Sequence, residues 1–165
     1  MSDSQLVHGT TIAFQNGGWL TAVVLRGEPG AGKSDLALRM IDAGRAELVS
    51  DDQTLLSKLG NNILASPPPS IAGKLEVRGL GIVSFSYCSD VPLGLVVDLV
   101  SREEVERLPD VSKEKILGFE VPCIRLHSFD HSTVAKLLPS ALKSASASPF
   151  SPKFTCGRAR RPTFQ

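Results

Sequence analysis

The chain has 165 residues, of which 42% are hydrophobic and 21% are charged, and its formal net charge is +1. This length fits one domain that can bury a sizeable core. The near-neutral charge, with seven Phe, one Tyr and one Trp, supplies neither the basic surface nor the stacking residues typical of nucleic-acid-binding proteins.

The sequence also argues against export and membrane insertion. Its first residues lack a basic region followed by an apolar stretch, and no later apolar run approaches the roughly 20 residues that a membrane helix needs. The cysteines, Cys88, Cys123 and Cys156, are odd in number and far apart, with no metal-ligand spacing. We therefore expect a cytoplasmic protein with reduced thiols.

The first predicted element is a β-hairpin. Residues 10–14 are rich in β-branched side chains, and a strong turn signal at residues 15–18 precedes an apolar run at residues 20–25. Antiparallel pairing would return His8, which lies just before the hairpin, to the end of the second strand. His8 is thus a candidate for a site at that end, with a surface histidine as the alternative.

A P-loop follows the hairpin, with the pattern G-x-x-x-x-G-K-[ST]. Its residues are Gly27, Glu28, Pro29, Gly30, Ala31, Gly32, Lys33 and Ser34. Backbone N–H groups of such a loop surround a phosphate chain, and the following helix contributes a partial positive charge. Lys33 should reach the outer phosphates and Ser34 should ligate Mg²⁺. A glycine turn without a ligand is the alternative interpretation.

A carboxylate pair ends the next predicted strand. Helical spacing of apolar residues over 36–41, with Gly44 placed to cap the helix, leads to a strand at residues 46–50 and then to Asp51 and Asp52. Ligands of open α/β sheets bind beyond the carboxyl ends of the strands, so the pair suits a general base or a metal contact. A turn or a helix cap explains the same position equally well.

The middle of the chain departs from an ordinary βαβ pattern. Residues 53–66 indicate two strands joined by a turn, and a run of prolines follows. Glu76 and Arg78 then stand two residues apart among glycines. In a strand they would face the same side, either toward a ligand or as a structural ion pair.

A second candidate magnesium ligand ends the apolar run at residues 93–98. Asp98 resembles the aspartate of a Walker B segment and competes with Asp51 and Asp52 for that role. A capping box at Ser101 predicts a short helix through Arg107.

The end of the chain is predicted to close the domain. An edge strand is expected at residues 121–126 and a closing helix at 132–142. The predicted domain spans residues 1–143. Residues 144–165, rich in Ser, Pro and Arg, are predicted to be disordered.

Four segments together resemble the catalytic domain of bacterial HPr kinase/phosphorylase, over about residues 7 to 140. They are His8-Gly9, the P-loop with Asp35, residues 48–52 and the stretch Glu-Val-Arg-Gly-Leu-Gly-Ile at residues 76–82. The resemblance implies an α/β P-loop kinase domain of the HPr kinase/PEP carboxykinase-like type, with a mixed sheet, an N-terminal β-hairpin and few helices. It also implies ATP- and Mg²⁺-dependent phosphorylation of a serine of an HPr-like phosphocarrier protein, and a reverse reaction with inorganic phosphate.

The resemblance assigns a role to each matching residue. Asp51 would take the proton from the serine hydroxyl, and Lys33 would hold phosphate. Ser34 and Glu76 would bind Mg²⁺, and His8 would lie beside the reacting phosphate. Family members form hexamers, so a homo-hexamer is expected.

Two further positions are less well matched. Arg107 is the best counterpart of a further catalytic arginine, although the spacing around it is looser, and Asp98 becomes a strand-end residue. Longer members carry a domain before the histidine and a Pro-Gly-Arg-rich segment that serves dephosphorylation. Neither is found here, because seven residues precede His8 and residues 124–136 lack that composition. We therefore expect no regulation through that domain, and the phosphorylase activity is the weaker inference.

The sequence fits the patterns of two other classes of P-loop protein less well. A small-molecule kinase of the nucleoside or shikimate type would use Asp98 or Asp52 to orient an alcohol, but no arginine-rich lid follows the P-loop. A GTP-dependent switch would need Asn-Lys-x-Asp and Asp-x-x-Gly motifs, and the first is missing while the second is not clear.

Overall fold

The computed structural model describes residues 3–110 and 112–137. The strands within them are β1 Ser4–His8, β2 Thr10–Asn16, β3 Trp19–Arg26, β4 Glu47–Ser50, β5 Gln53–Leu59, β6 Asn62–Ser66, β7 Lys74–Val77, β8 Gly81–Ser84, β9 Val91–Leu99, β10 Ser112–Ile116 and β11 Phe119–Leu126. Helix α1 is Lys33–Asp42, and residues 131–137 are also helical. The predicted tail at 144–165 and the end of the predicted 132–142 helix lie outside the described residues.

Most of the strands form one mixed sheet around β3 and β9. Its order is β1-β5-β6-β9-β3-β2-β4, and β11 joins β9 while β10 joins β11. Strand β9 is parallel to both β3 and β11, whereas the other ladders of this sheet are antiparallel. The predicted mixed sheet with few helices is therefore confirmed for the described residues.

The predicted N-terminal hairpin is also confirmed. Strands β2 and β3 pair from Thr10 opposite Leu25 to Asn16 opposite Trp19. Gly17 and Gly18 form the turn with φ of 55° and 93°, values that glycine adopts without a steric penalty. The hairpin delivers the end of β3 directly to the P-loop.

Two apolar clusters hold the sheet from its opposite faces. Residues of β3 alternate between them, as the period of two in a strand requires: Val23 and Leu25 face one cluster, and Ala22 and Val24 face the other. The first cluster is covered by α1, through Leu36, Ala37 and Met40, and by Leu137. The sheet thus fixes the edge from which the P-loop emerges, and α1 is anchored against it.

Two predictions for the second half of the chain are wrong. Strand β11 lies between β10 and β9, so it is not an edge strand. The capping box at Ser101 forms, with the Ser101 Oγ and backbone N both donating to Glu104 Oε2, but it caps a single 3₁₀ turn. The turn ends at Glu104 and does not continue to Arg107.

No helix among the described residues combines the length and the apolar character needed to cross a membrane.

Candidate active site

The P-loop joins β3 to α1 at the carboxyl ends of the parallel strands. The loop closes on itself through a hydrogen bond from the Ala31 N–H to the Glu28 carbonyl oxygen at 2.9 Å. Gly32 has a φ of 88°, and a Cβ atom there would lie 2.6 Å from Ser128 Oγ. Only glycine therefore fits at this position, both for its backbone angle and for the space.

Lys33 begins α1 and lines the pocket above the loop. Its ammonium group donates hydrogen bonds to the carbonyl oxygens of Gly27 at 2.8 Å and of Glu28 at 3.2 Å. These contacts place a positive charge at the mouth of the loop, where a phosphate chain would be held.

Asp51 is the central carboxylate of the site. It is only 6% exposed, and its Oδ1 accepts hydrogen bonds from Ser34 Oγ at 2.7 Å and from Thr10 Oγ1 at 2.8 Å. Its Oδ2 accepts a third hydrogen bond, from the backbone N–H of Glu76 at 3.0 Å. The side chain therefore links three separate segments of the chain, whereas Asp52 beside it is exposed.

Glu76 and Arg78 are brought to the same pocket by the hairpin of β7 and β8. Glu76 lies in β7, but Arg78 follows the end of that strand and belongs to the turn. The expectation that both lie in one strand is therefore wrong, because the glycines at 79 and 81 have φ of 86° and 91° and the chain reverses there. Both side chains are exposed.

These segments enclose a cavity of about 400 Å³. It is lined by Gly30, Gly32, Lys33, Ser34, Asp35, Leu38, Glu76, Val77, Arg78 and Phe129. The predicted metal ligands Ser34 and Glu76 therefore share one pocket with the predicted phosphate ligand Lys33. Asp51 lies behind this lining and is reached through its hydrogen bonds to Ser34 and Glu76.

His8 lies near the carboxylate pair by backbone register. It is opposite Gln53 in the ladder of β1 and β5, and the N–H of the adjacent Gly9 donates to the Asp52 carbonyl oxygen at 2.9 Å. The imidazole is exposed and does not belong to the pocket lining. Its role beside the reacting phosphate stays a prediction.

Arg107 is not brought to the pocket in this conformation. It is exposed in the segment that follows the 3₁₀ turn, and the pocket-lining residues in the described part of the chain do not include it. Its catalytic role also stays a prediction, and the pocket itself presents Lys33 and Arg78 as its cations.

Asp98 is held in a polar cluster formed by residues of β3, β9, β10 and β11. Arg26 Nε donates to Asp98 Oδ1 at 2.8 Å, and Arg26 Nη2 donates to Glu114 Oε2 at 2.6 Å. The Cys123 thiol donates to Asp98 Oδ2 at 3.4 Å, and its pKa is raised to about 11 by burial and by the Asp98 carboxylate. Asp98 thus contacts structural partners, as expected of a strand-end residue.

Replacing Asp98 with Asn should lower stability by about 1–2 kcal/mol while nucleotide binding is retained, because the half-buried charged hydrogen bonds with Arg26 are lost. Burial opposes ionisation of Asp98, but the Arg26 hydrogen bonds and charge outweigh it and lower the pKa of Asp98 below its usual value. The stabilisation that the Asp98 carboxylate gives the wild-type protein is therefore present above the unfolded-state pKa of Asp98. It is lost as pH falls through the lower folded-state pKa. Urea unfolding at several pH values measures it, and a loss of Mg²⁺-dependent nucleotide binding with unchanged stability would contradict this assignment.

The oxygen ligands at the pocket fit a magnesium ion. A hydroxyl from Ser34 and a carboxylate from Glu76 are hard donors, and protein sites for Mg²⁺ commonly combine one or two carboxylates with substrate phosphates. Asp51 would orient the Ser34 hydroxyl through their hydrogen bond.

Sequence reasoning did not identify several residues of the site. Thr10 is completely buried and binds Asp51, and the signal was a polar residue directly after His8-Gly9 at the start of an apolar strand. For Leu38 the signal was its position, five residues beyond Lys33 on the helix that the P-loop motif predicts. Phe129 gave no signal, since its contact with the P-loop depends on how β11 is placed.

Comparisons with known proteins agree with this architecture. A family model described as HPr Serine kinase C-terminal domain matches residues 1–149. The HPr kinase/phosphorylase of Mycoplasma mycoides subsp. mycoides SC is 32% identical over 135 residues, which cover 74% of this chain and 43% of that protein. That of Cupriavidus metallidurans is 33% identical over 133 residues, which cover 74% of this chain and 41% of that protein. The chain thus spans less than half the length of these curated relatives.

A solved structure shows the same fold. The Hpr(Ser) kinase/phosphatase from Coxiella burnetii matches with a TM-score of 0.68 and 26% identity, over 86% of this chain and 90% of that one. This similarity confirms the predicted α/β fold class.

Proposed function

Because the chain belongs to the HPr serine kinase C-terminal domain family, we propose that it is an ATP- and Mg²⁺-dependent kinase that phosphorylates a serine of an HPr-like phosphocarrier protein. The names of its relatives, each an HPr kinase/phosphorylase, support this substrate class. Cytoplasmic location and a hexameric assembly stay predictions.

The main support for this proposal is the position of Asp51. The Asp51 carboxylate is bonded to the P-loop hydroxyl of Ser34 and to the backbone of Glu76, so it joins the phosphate loop to the second segment of the pocket. A P-loop alone supports nucleotide binding. A buried carboxylate one hydrogen bond from the metal-ligating serine supports group transfer, because it can act next to the reacting phosphate.

Each residue of the pocket would have its own role in phosphoryl transfer. Lys33 and Arg78 neutralise phosphate charge, and the loop N–H groups hold the phosphate chain in place. Asp51 accepts the proton from the attacking serine hydroxyl, while Thr10 keeps the carboxylate oriented from behind. Bound Mg²⁺, held by Ser34 and Glu76, would neutralise charge on the transferred phosphoryl group.

Incubating the chain with γ-labelled ATP, Mg²⁺ and a purified HPr-like carrier should label the carrier on one serine. A carrier with that serine replaced by Ala is the matched control and should stay unlabelled. Phosphoamino-acid analysis and mass spectrometry measure the result. Label that appears on a nucleoside or another small alcohol, with none on the carrier, would replace this proposal with a small-molecule kinase.

Adding inorganic phosphate to the phosphorylated carrier tests the reverse direction in the same assay. Release of pyrophosphate would extend the proposal to the phosphorylase activity that the relatives' names include.

A further inference from the structure

Phe129 is a large aromatic side chain that stays 55% exposed within the lining of the pocket. Its ring rests on the P-loop, since a Cβ atom on Gly32 would lie 2.8 Å from Phe129 Cζ. An exposed ring at this place contributes little to the core. It offers a flat apolar surface directly beside the residues that hold phosphate.

The segment that carries this ring is fixed from both sides. Ser128 Oγ donates to the Ala31 carbonyl oxygen of the P-loop, and Arg39 of α1 donates to the Ser128 carbonyl oxygen. The neighbouring His127 contacts the Val100 carbonyl oxygen through Nδ1 at 3.0 Å and meets the Phe129 ring edge-on, with centroids 5.9 Å apart. The backbone that carries the ring is therefore held in position before any ligand arrives.

The topology explains why a ring lies there. Strands β3, β9 and β11 are parallel neighbours, so the loops after β3 and β11 emerge at the same edge of the sheet. The loop after β3 is the P-loop, and the loop after β11 carries Phe129. The hairpin of β7 and β8 supplies the charged side chains of Glu76 and Arg78 to the same pocket, whereas Phe129 is its aromatic lining residue and suits the uncharged part of a nucleotide.

We propose that Phe129 forms the base subsite, with the purine base of the bound nucleotide stacked on its ring. This inference rests on the proposed use of a nucleotide at the P-loop. Stacking engages the face of the base, so either purine is accepted.

Binding of Mg·ADP and of magnesium pyrophosphate, measured by calorimetry, tests the subsite. Phe129→Ala should weaken ADP binding by about 5- to 100-fold and leave pyrophosphate binding unchanged, because only the base contact is lost. Phe129→Tyr should restore ADP binding. Leu80→Ala is a matched control, since Leu80 is 65% exposed on the β7–β8 turn and lies outside the pocket lining.

Equal ADP affinity in Phe129→Ala and wild type would overturn the base subsite and leave the kinase proposal intact. Parallel weakening of ADP and pyrophosphate would also overturn it, because the ring would then only support the P-loop. If Phe129→Ala weakens ADP binding but the wild-type protein transfers no phosphate to the carrier, the base subsite is supported and the kinase proposal is contradicted.

A fluorescence measurement gives an independent test that does not remove the ring. Trp19 is the single tryptophan of the sequence, so Phe129→Trp in a Trp19→Phe background places the emission at the proposed stack. ADP should quench this emission and pyrophosphate should not. Equal responses to the two ligands would overturn the inference.

Discussion

Replacing Asp51 with Asn should lower kcat for transfer to the carrier by about 10²–10⁴-fold, the usual contribution of a general base. Asn keeps the volume of the side chain, and its Oδ1 can still accept from Ser34 and Thr10. Its amide nitrogen loses the hydrogen bond from the Glu76 N–H, and Asn cannot take the proton of the attacking hydroxyl. Initial rates with saturating ATP measure the loss. Circular dichroism and thermal unfolding show whether the variant remains folded.

Asp52→Asn is the matched control for this substitution. Asp52 is exposed and has a φ of 62°, a conformation that Asn also adopts readily. The contact made by Asp52 to Gly9 uses its backbone carbonyl oxygen, which the substitution leaves in place. Wild-type rates are expected for Asp52→Asn, and an equal loss in both variants would show that the pair acts only through its combined charge.

The magnesium dependence separates two roles of Asp51. If Asp51 serves as the base, a higher Mg²⁺ concentration leaves the Asp51→Asn rate low. Recovery of the rate at high Mg²⁺ would instead indicate that Asp51 acts by orienting the proposed metal ligand Ser34, whose hydroxyl donates a hydrogen bond to it.

The sequence predicted the parts of the site that local patterns encode. The P-loop motif determines the loop and the start of α1, and turn residues at 17–18 and 60–61 mark the hairpins that carry β2, β3, β5 and β6. Each of these features depends on residues close together in the chain, so its physical cause is visible in a short window.

Features that depend on distant pairing could not be predicted in this way. Strand β10, with the sequence Ser-Lys-Glu-Lys-Ile, is too polar to be recognised alone, yet it covers β11 and turns an expected edge strand into an inner one. Arg78 lines the pocket from a glycine turn and not from the expected strand. The position of Phe129 follows from the parallel pairing of β11 with β9, a contact across 27 residues from Val96 to Cys123.

Asp51 and Asp98 are both candidates by sequence, and only their contacts in the fold distinguish them. In the sequence both residues come at the end of an apolar run that predicts a strand, so both suit a metal or a base. In the fold, Asp51 meets Ser34 of the P-loop, whereas Asp98 meets Arg26 at the end of β3. The contact with Ser34 is the reason why we propose Asp51, and not Asp98, as the catalytic carboxylate.

Replacing Lys33 with Met should lower kcat/KM for ATP by about 10²–10³-fold, the cost of removing one positive or hydrogen-bonding group that faces the developing phosphate charge. Met preserves the length of the side chain and favours the helix that begins at Lys33, so the change is confined to the ammonium group. Most of the loss should appear in kcat, because charge builds up on the phosphoryl group in the transition state.

Lys74→Met provides the matched control for the loss of a lysine charge near the pocket. Lys74 is exposed in β7, two residues from Glu76, and its ammonium group donates to the Ser70 carbonyl oxygen at 3.3 Å. Steady-state rates over a range of ATP concentrations should leave Lys74→Met within about twofold of wild type, as is usual for surface substitutions. Wild-type kinetics in Lys33→Met would exclude the P-loop as the phosphate site, whereas equal losses in both variants would indicate a diffuse electrostatic effect. A loss confined to Lys33→Met, with unchanged thermal unfolding, assigns the charge to phosphoryl transfer.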